Sequence, residues 1–297
     1  MPGIKILLHK ISTGAAHDSA ERYPPPKCDL RTQGAVLSRI DDWISRSDQD
    51  GARRVLWIYG RAGTAIAQTA AERCAERNEL AASYFFTHPD PSLVPPSSRT
   101  LWTTIAFQIA MSVPPLRSAI ARAVLDNPDI FEKSPSAMMQ KLIVEPFRAQ
   151  GGQSAEGLPL LVIIDGLDKC SEPEGNDILR SVANAINTHH LPLRFLVTTC
   201  LKSPIHRSFD SPGFRHILVR ISVDEPLRNF CKDFGLWVAQ VPSKRLVIGL
   251  CLCFVLKYVC DKLLSWIAAN RFVLIWLCVW SAVLFLNFGI YPFNERI

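Results

Sequence analysis

The sequence predicts an α/β fold with an open, mostly parallel sheet, and three observations carry that prediction. Strand-length runs dominated by apolar residues recur at Val55–Tyr59, Leu160–Ile164 and Arg194–Thr199. They are continuous rather than alternating, as strands buried on both faces must be. Segments with helical spacing separate them, which is the β-α alternation of a parallel sheet covered by helices. Finally, the first run passes through a short glycine-bearing turn directly into a helix, so the turn falls at the carboxyl edge of the sheet, where ligands gather in such folds.

Taken in order, residues 1–33 form a polar N-terminal segment, loop-like as far as residue 30 and stiffened by Tyr23-Pro24-Pro25-Pro26. Val36, Leu37, Ile40, Trp43 and Ile44 have helical spacing within Gly34–Ser45. The strand Val55–Tyr59 follows, then a helix from about Thr64 to Glu76 and a second strand at Ala81–Phe86. Helical patterns run through Leu101–Met111, Pro115–Asp126 (with proline in a first helical turn) and Ser136–Ala149. Gly151–Ser154 is a loop, Asn176–His189 a helix, and Arg194–Thr199 the last predicted strand. The α/β domain is thereby set at 34–222, with a helical linker at 223–244 and a hydrophobic segment at 245–297. No period of 20–50 residues repeats, which excludes ankyrin, WD40 and TPR arrays.

The net charge of +6 is mild for 297 residues, and the basic residues do not gather into a stripe. With no aromatic-studded basic segment either, nucleic acid is not an expected partner. The nine cysteines include no C-x-x-C pair and no His/Cys spacing suited to zinc, so they read as reduced thiols of an intracellular protein. Ile6-Leu7-Leu8 is too short for a signal-peptide core.

Phe272–Tyr291 contains no charged residue, and at ~1.5 Å per residue it would span roughly 30 Å, the thickness of a bilayer core. It is expected to be a transmembrane helix. Leu246–Cys260 is shorter and carries Lys257; a single span is favoured, with residues 246–267 in the interface or against the domain, and the alternative is a hairpin of two spans with both ends cytosolic. Lys257, Lys262 and Arg271 precede the span and Arg296 alone follows it, which keeps the α/β domain on the cytosolic side.

The turn after the first strand is Gly60-Arg61-Ala62-Gly63-Thr64. A phosphate-binding loop needs G-x-x-x-x-G-K-[ST] at this junction, because backbone N–H groups curl round the phosphates while a lysine reaches the β/γ oxygens. Counting from Gly60, the second glycine, lysine and hydroxyl positions fall on Ala65, Ile66 and Ala67, and all three fail. A loop shortened by three residues would leave Thr64 as the hydroxyl residue with the helix intact. The second signal is Asp165, which ends the run Leu160–Ile164 and is followed by Gly166-Leu167-Asp168-Lys169. In a P-loop nucleoside triphosphatase (NTPase) an aspartate placed so holds Mg²⁺, and a neighbouring acid orients the attacking water. The commonplace alternative is an aspartate beside glycine at a strand-to-turn transition.

Here a family resemblance becomes specific. The segment Ala15–Cys28 resembles the linker preceding fungal NACHT modules, the nephrocystin-3-like N-terminal domains of the STAND class of NTPases. Trp57-Ile58-Tyr59-Gly60, Ala65–Thr69, Thr104–Gln108, Lys141–Pro146, Val162–Asp168 and His189–Leu196 are similar to that family's blocks, in its order, over roughly residues 15–215. The resemblance implies a three-layer P-loop NTPase-like sandwich and a switch driven by ATP or GTP with Mg²⁺. On the matching positions, Gly60, Gly63, Thr64 and Thr199 would face the nucleotide. Thr64 and Asp165 would hold the metal, and Asp165 with Asp168 would be the residual catalytic acids.

The departures are as specific as the matches. The lysine is absent, Lys169 reverses the charge of the acid that usually follows Asp168, and the polar-Arg-Pro ending of the last strand is replaced by Thr199-Cys200-Leu201. A charge-assisted hydrogen bond contributes ~1.5–3 kcal/mol, so the lysine alone is worth roughly tenfold to a hundredfold in affinity. The expected function is therefore a degenerate NACHT-like signalling or interaction module, tethered to a membrane through Phe272–Tyr291, without NTP hydrolysis or a firmly bound cofactor. Its expected partners are full-length NACHT relatives or other signalling proteins. Two readings compete with it: an active ATP- or GTP-binding switch with an unusual loop, and a truncated gene product without independent function.

Overall fold

The computed structural model describes residues 1–28, 30–45, 53–86, 97–150, 160–201 and 203–223. The chain divides into two compact units, Met1–Pro226 and Leu227–Ile297. The second unit, the loop expected at Gly151–Ser154, the predicted helix at 224–241 and the apolar runs at 246–260 and 272–291 lie outside the described residues. No helix among the described residues is long and apolar enough to cross a membrane.

The elements follow the order α1 (Pro2–Leu8), α2 (Leu30–Ser45), β1 (Val55–Tyr59), α3 (Gly63–Glu76), β2 (Leu80–Phe85), α4 (Ser98–Ser112), α5 (Arg117–Asp126), α6 (Pro135–Met139), α7 (Glu145–Ala149), β3 (Leu161–Asp165), α8 (Glu172–Asn187), β4 (Arg194–Thr199) and β5 (Leu218–Ser222). The five strands form one parallel sheet in the order β2-β3-β4-β1-β5. The predicted α/β class and parallel sheet are therefore present. The helix predicted at Ser136–Ala149 is built as α6 and α7 joined through a π-helical turn at Gln140–Val144.

Alternate residues of each strand feed two cores. On one face Leu56, Ile58, Leu161, Ile163 and Leu196 pack against Val36, Leu37 and Ile40 of α2 and Ile66, Ala70 and Ala71 of α3. On the other, Val55, Trp57, Val162, Ile164, Phe195 and Val197 meet Leu101, Trp102 and Ile105 of α4 and Ile178 and Val182 of α8. This is helix, sheet, helix: three layers with both faces of the sheet removed from water.

Two features depart from the sequence reading. The N-terminal segment is not a loop. It begins with α1, whose Leu7 is fully buried, and it continues with 3-10 turns at Thr13–Ala15 and Ala20–Arg22. Helix α1 packs on α5 so closely that a Cβ at Gly3 would lie 2.0 Å from the Ala121 carbonyl oxygen. A seven-residue helix with one large buried side chain has too little periodicity to stand out in a sequence. The second departure is β5, which was not predicted as a strand. It is an edge strand with Arg220 exposed at its centre, so it lacks the continuous apolar run that marks a central strand.

The edge strand β2 is closed by side chains. Gln108 of α4 accepts the Ser83 amide at 2.9 Å and donates to the Ser83 carbonyl at 2.8 Å, and the Ser112 hydroxyl donates to the Ala81 carbonyl at 2.8 Å. Covering an edge in this way prevents another chain from pairing with it.

Candidate functional site

The carboxyl ends of β1, β3 and β4 lie on one edge: Tyr59 stands opposite Thr199, Ile164 opposite Val197, and Asp165 opposite Phe85. Gly60 leaves β1 with φ of 137°, a backbone conformation open to glycine, and donates its amide to the Thr199 carbonyl at 3.2 Å. Helix α3 then starts at Gly63, which is buried against β4; a Cβ there would lie 3.3 Å from the Thr198 Cβ. The shortened turn is thus folded down onto the end of β4. Ala62 caps the helix and supplies no side-chain acceptor.

Asp165 is completely buried. Its Oδ1 accepts the Thr198 hydroxyl at 2.5 Å, and Thr198 Oγ1 in turn accepts the Gly166 amide at 3.0 Å. Oδ2 is buried without a hydrogen-bond partner. Burial pushes the carboxyl above the usual carboxylate range; the hydroxyls of Thr198 and Thr64 and the guanidinium of Arg22 oppose that rise, and Asp168 adds to it. Gly166, with φ of 73°, turns the chain into a 3-10 turn at Leu167–Lys169.

Asp168 and Thr199 are both engaged. Asp168 Oδ1 accepts the Cys200 amide at 2.9 Å, tying the β3–α8 turn to the end of β4. The Thr199 hydroxyl oxygen accepts the Trp57 indole N–H at 3.0 Å and lies 3.1 Å from His206 Nε2. That nitrogen is also 2.9 Å from the Cys200 carbonyl, which can only accept, so Nε2 carries the proton and donates. Trp57 is itself held in a cage, stacked on Phe209 at 4.2 Å and meeting His206 edge-on at 4.6 Å.

The N-terminal segment contributes residues that the sequence reading missed. Arg22 is buried, with its guanidinium 3.9 Å from the centre of the Phe85 ring and Nη2 3.3 Å from Gln68 Oε1. Gln68 of α3 also donates to the His17 carbonyl at 2.9 Å and to Glu72 at 2.9 Å. His17 uses its amide and Nδ1 on the Ser83 hydroxyl, at 3.0 and 3.1 Å. Loss of water around the His17 ring depresses its pKa; Asp18 and Glu72 oppose this and Arg22 adds to it. Nothing in the sequence says that Arg22 turns inward.

The fold implies a nucleoside triphosphate and Mg²⁺, and the residues present do not fit them. The metal side offers Asp165 Oδ2 and the Thr64 hydroxyl, two oxygens of the six that Mg²⁺ requires, the rest of which must come from water and phosphate. The phosphate side offers a turn that is seated on Thr198 and has no lysine. Among the described residues no group of three or more His, Cys, Asp or Glu side chains is placed to hold a metal ion.

A parallel sheet in this order, with a glycine turn running into a helix beside a strand-end aspartate, defines a P-loop NTPase-like α/β domain. The family model of the nephrocystin 3 N-terminal domain matches residues 36–199, more than half of the chain, and the chain belongs to that family. The matched region begins within α2 and ends with β4, so it leaves out the Ala15–Cys28 linker that also carried the resemblance. No curated protein matches the chain.

Proposed function

We propose that this chain is a NACHT-like interaction module without nucleotide turnover, held at a membrane by Phe272–Tyr291. The observation that carries the first half is the seating of Gly63 on Thr198, because it puts the start of α3 where a phosphate cradle would need room. The missing lysine and Lys169 beside Asp168 support the same reading. Titrating the full-length chain with ATP and GTP in the presence of Mg²⁺, by calorimetry and by phosphate release, tests it. The expected result is turnover at background and binding no tighter than about millimolar. Micromolar, Mg²⁺-dependent binding would overturn the proposal in favour of a working switch, the reading favoured by the partnerless Asp165 Oδ2 beside Thr64.

The second half rests on the uncharged length of Phe272–Tyr291 and on the excess of basic residues before it. With Lys257, Lys262 and Arg271 on its N-terminal side, such a span would leave the α/β domain cytosolic. Its partners would then be full-length NACHT relatives or other signalling proteins at that surface. Extraction at alkaline pH checks the insertion, and a glycosylation acceptor appended after Ile297 checks the topology. A chain released by carbonate, or an unmodified acceptor, would sink the single-span reading.

A further inference from the structure

The lateral edge formed by β5 carries a site that the nucleotide reading does not use. Strand β5 is the outer strand beside β1. The Val55 amide donates to the Ile217 carbonyl at 2.8 Å and the Val223 amide to the Tyr59 carbonyl at 3.0 Å, so residues 217, 219, 221 and 223 turn their backbone groups toward β1. In a parallel ladder the alternate residues then point the other way. The N–H and C=O groups of Leu218, Arg220 and Ser222 face outward, and none is paired among the described residues. Strand β2, at the far side of the same sheet, is closed by Gln108 and Ser112; β5 has no such cover among the described residues.

Alongside this open edge lies a cavity of about 540 Å³ lined by Arg39, Arg53, Arg215 and Arg220, with Asp210 the single acid. Arg220 is committed, paired with Asp210 at 2.7 Å, donating to the Phe209 carbonyl at 2.9 Å and lying 5.4 Å over the Trp57 ring. Arg39, Arg53 and Arg215 are exposed and make no ion pair among the described residues. Arg39 comes from α2 on one face of the sheet, whereas Arg215 follows Phe214, which packs on the other. Guanidinium groups therefore stand on both sides of the unpaired backbone.

We propose that the β5 edge binds an extended acidic peptide of a partner protein by strand addition. The peptide backbone pairs with Leu218, Arg220 and Ser222, and its carboxylates on alternate faces meet Arg215 on one side and Arg39 on the other, with Arg53 lining the same cavity. Charge complementarity selects this occupant, since an apolar strand would leave three arginines without counter-charge. The site stands apart from the reading given above and holds whether or not nucleotide binds.

The test uses the full-length chain and a short fluorescent peptide alternating glutamate and valine, followed by anisotropy. Saturable binding is expected at low ionic strength, weakened at least about tenfold by raising salt past physiological strength. The Arg39→Glu/Arg53→Glu and Arg215→Glu variants, checked for unchanged melting, each lose about tenfold or more. A peptide of the same sequence N-methylated at alternate amides keeps its charge but loses its donors, and binds at least about tenfold more weakly. Equal binding of the methylated peptide would reduce the site to surface electrostatics and overturn strand addition. Unchanged binding by the arginine variants would place the peptide elsewhere. No binding of any peptide, as when residues 224–297 themselves cover the edge, overturns the proposal.

Discussion

The Thr198 hydroxyl donates to Asp165 Oδ1 at 2.5 Å and accepts the Gly166 amide at 3.0 Å, so one side chain satisfies two buried groups at the heart of the carboxyl edge. In a loaded phosphate site a metal or a lysine would answer the charge of the strand-end aspartate. Here the hydroxyls of Thr198 and Thr64 and the guanidinium of Arg22 answer it in part. Thr198→Val removes the hydroxyl at constant shape and leaves the Gly166 amide and Asp165 Oδ1 both unsatisfied. The expected loss is about 2–4 kcal/mol, read as a shift of the denaturation midpoint at unchanged slope.

The other carboxylate oxygen gives a prediction with a sign. Burial raises the folded-state pKa of Asp165 above its ordinary value of 3.8. The contribution of this group to stability is therefore fully present below the unfolded pKa and is lost as pH rises through the raised one. At neutral pH the charged form is a cost. Asp165→Asn keeps an acceptor for Thr198 and removes the charge, so it should raise the melting temperature at pH 7.5, by about 2–4 °C for each kcal/mol gained. The gain should vanish as pH approaches 4. A variant less stable than the parent at pH 7.5 would mean that Asp165 is held ionised by a cation after all.

His17 titrates with the opposite consequence. Its folded-state pKa is depressed below 6.5, chiefly by burial. Its contribution is present above the unfolded pKa and fades as pH falls through the depressed folded one. The segment it anchors onto Ser83 should therefore loosen as pH falls below 6.5 through the depressed folded-state pKa. Limited proteolysis within residues 10–28 should accelerate over that range, and His17→Gln should flatten the pH dependence. An unchanged pH profile in that variant would assign the loosening to another group.

Helix α1 depends on the absence of a side chain. A Cβ at Gly3 would lie 2.0 Å from the Ala121 carbonyl oxygen, a backbone atom that cannot swing aside. Gly3→Ala should push α1 off α5 and expose Leu7, at a cost of about 1–3 kcal/mol for an overpacked contact. Faster amide exchange confined to residues 2–8 and the facing turn of α5 would be the signature. Unaltered exchange would show that α1 finds another seat.

Much of this architecture was legible because the deciding chemistry is local. The bounds of β1 and β4 coincide with the apolar runs at Val55–Tyr59 and Arg194–Thr199, since a strand buried on both faces must be apolar throughout. Helix α8 starts at Glu172 rather than Asn176 because Ser171 and Glu174 form a reciprocal capping box, a pattern that the sequence displays as Ser-x-x-Glu. Gly60 and Asp165 were legible as strand-end residues because the apolar runs before them fix where β1 and β3 stop. Arg22, Thr198 and His206 were not, because their roles are set by closure of the fold. His206 reaches Thr199 only once the 3-10 turn at Pro204–Asp210 has folded back, and Arg22 reaches α3 only once the N-terminal segment is wrapped onto it.

The shortened loop makes the last prediction. Inserting Ala-Gly-Lys after Gly63 restores the length of a G-x-x-x-x-G-K-T loop and leaves Thr64 as its final hydroxyl. The longer turn lifts Gly63 away from Thr198, supplies further amides toward the phosphates and returns the missing cation. If the sheet and α3 still form the scaffold that their register indicates, ATP affinity should improve by roughly tenfold to a hundredfold over the parent, the worth of one charge-assisted bond. Turnover should stay at background, because Lys169 still stands beside Asp168, and Thr199 remains held by Trp57 and His206. Calorimetry with ATP and Mg²⁺ reads the first effect and phosphate release the second. A stably folded insertion variant with no gain in binding would mean that Thr199 and its cage, rather than the loop, close the site.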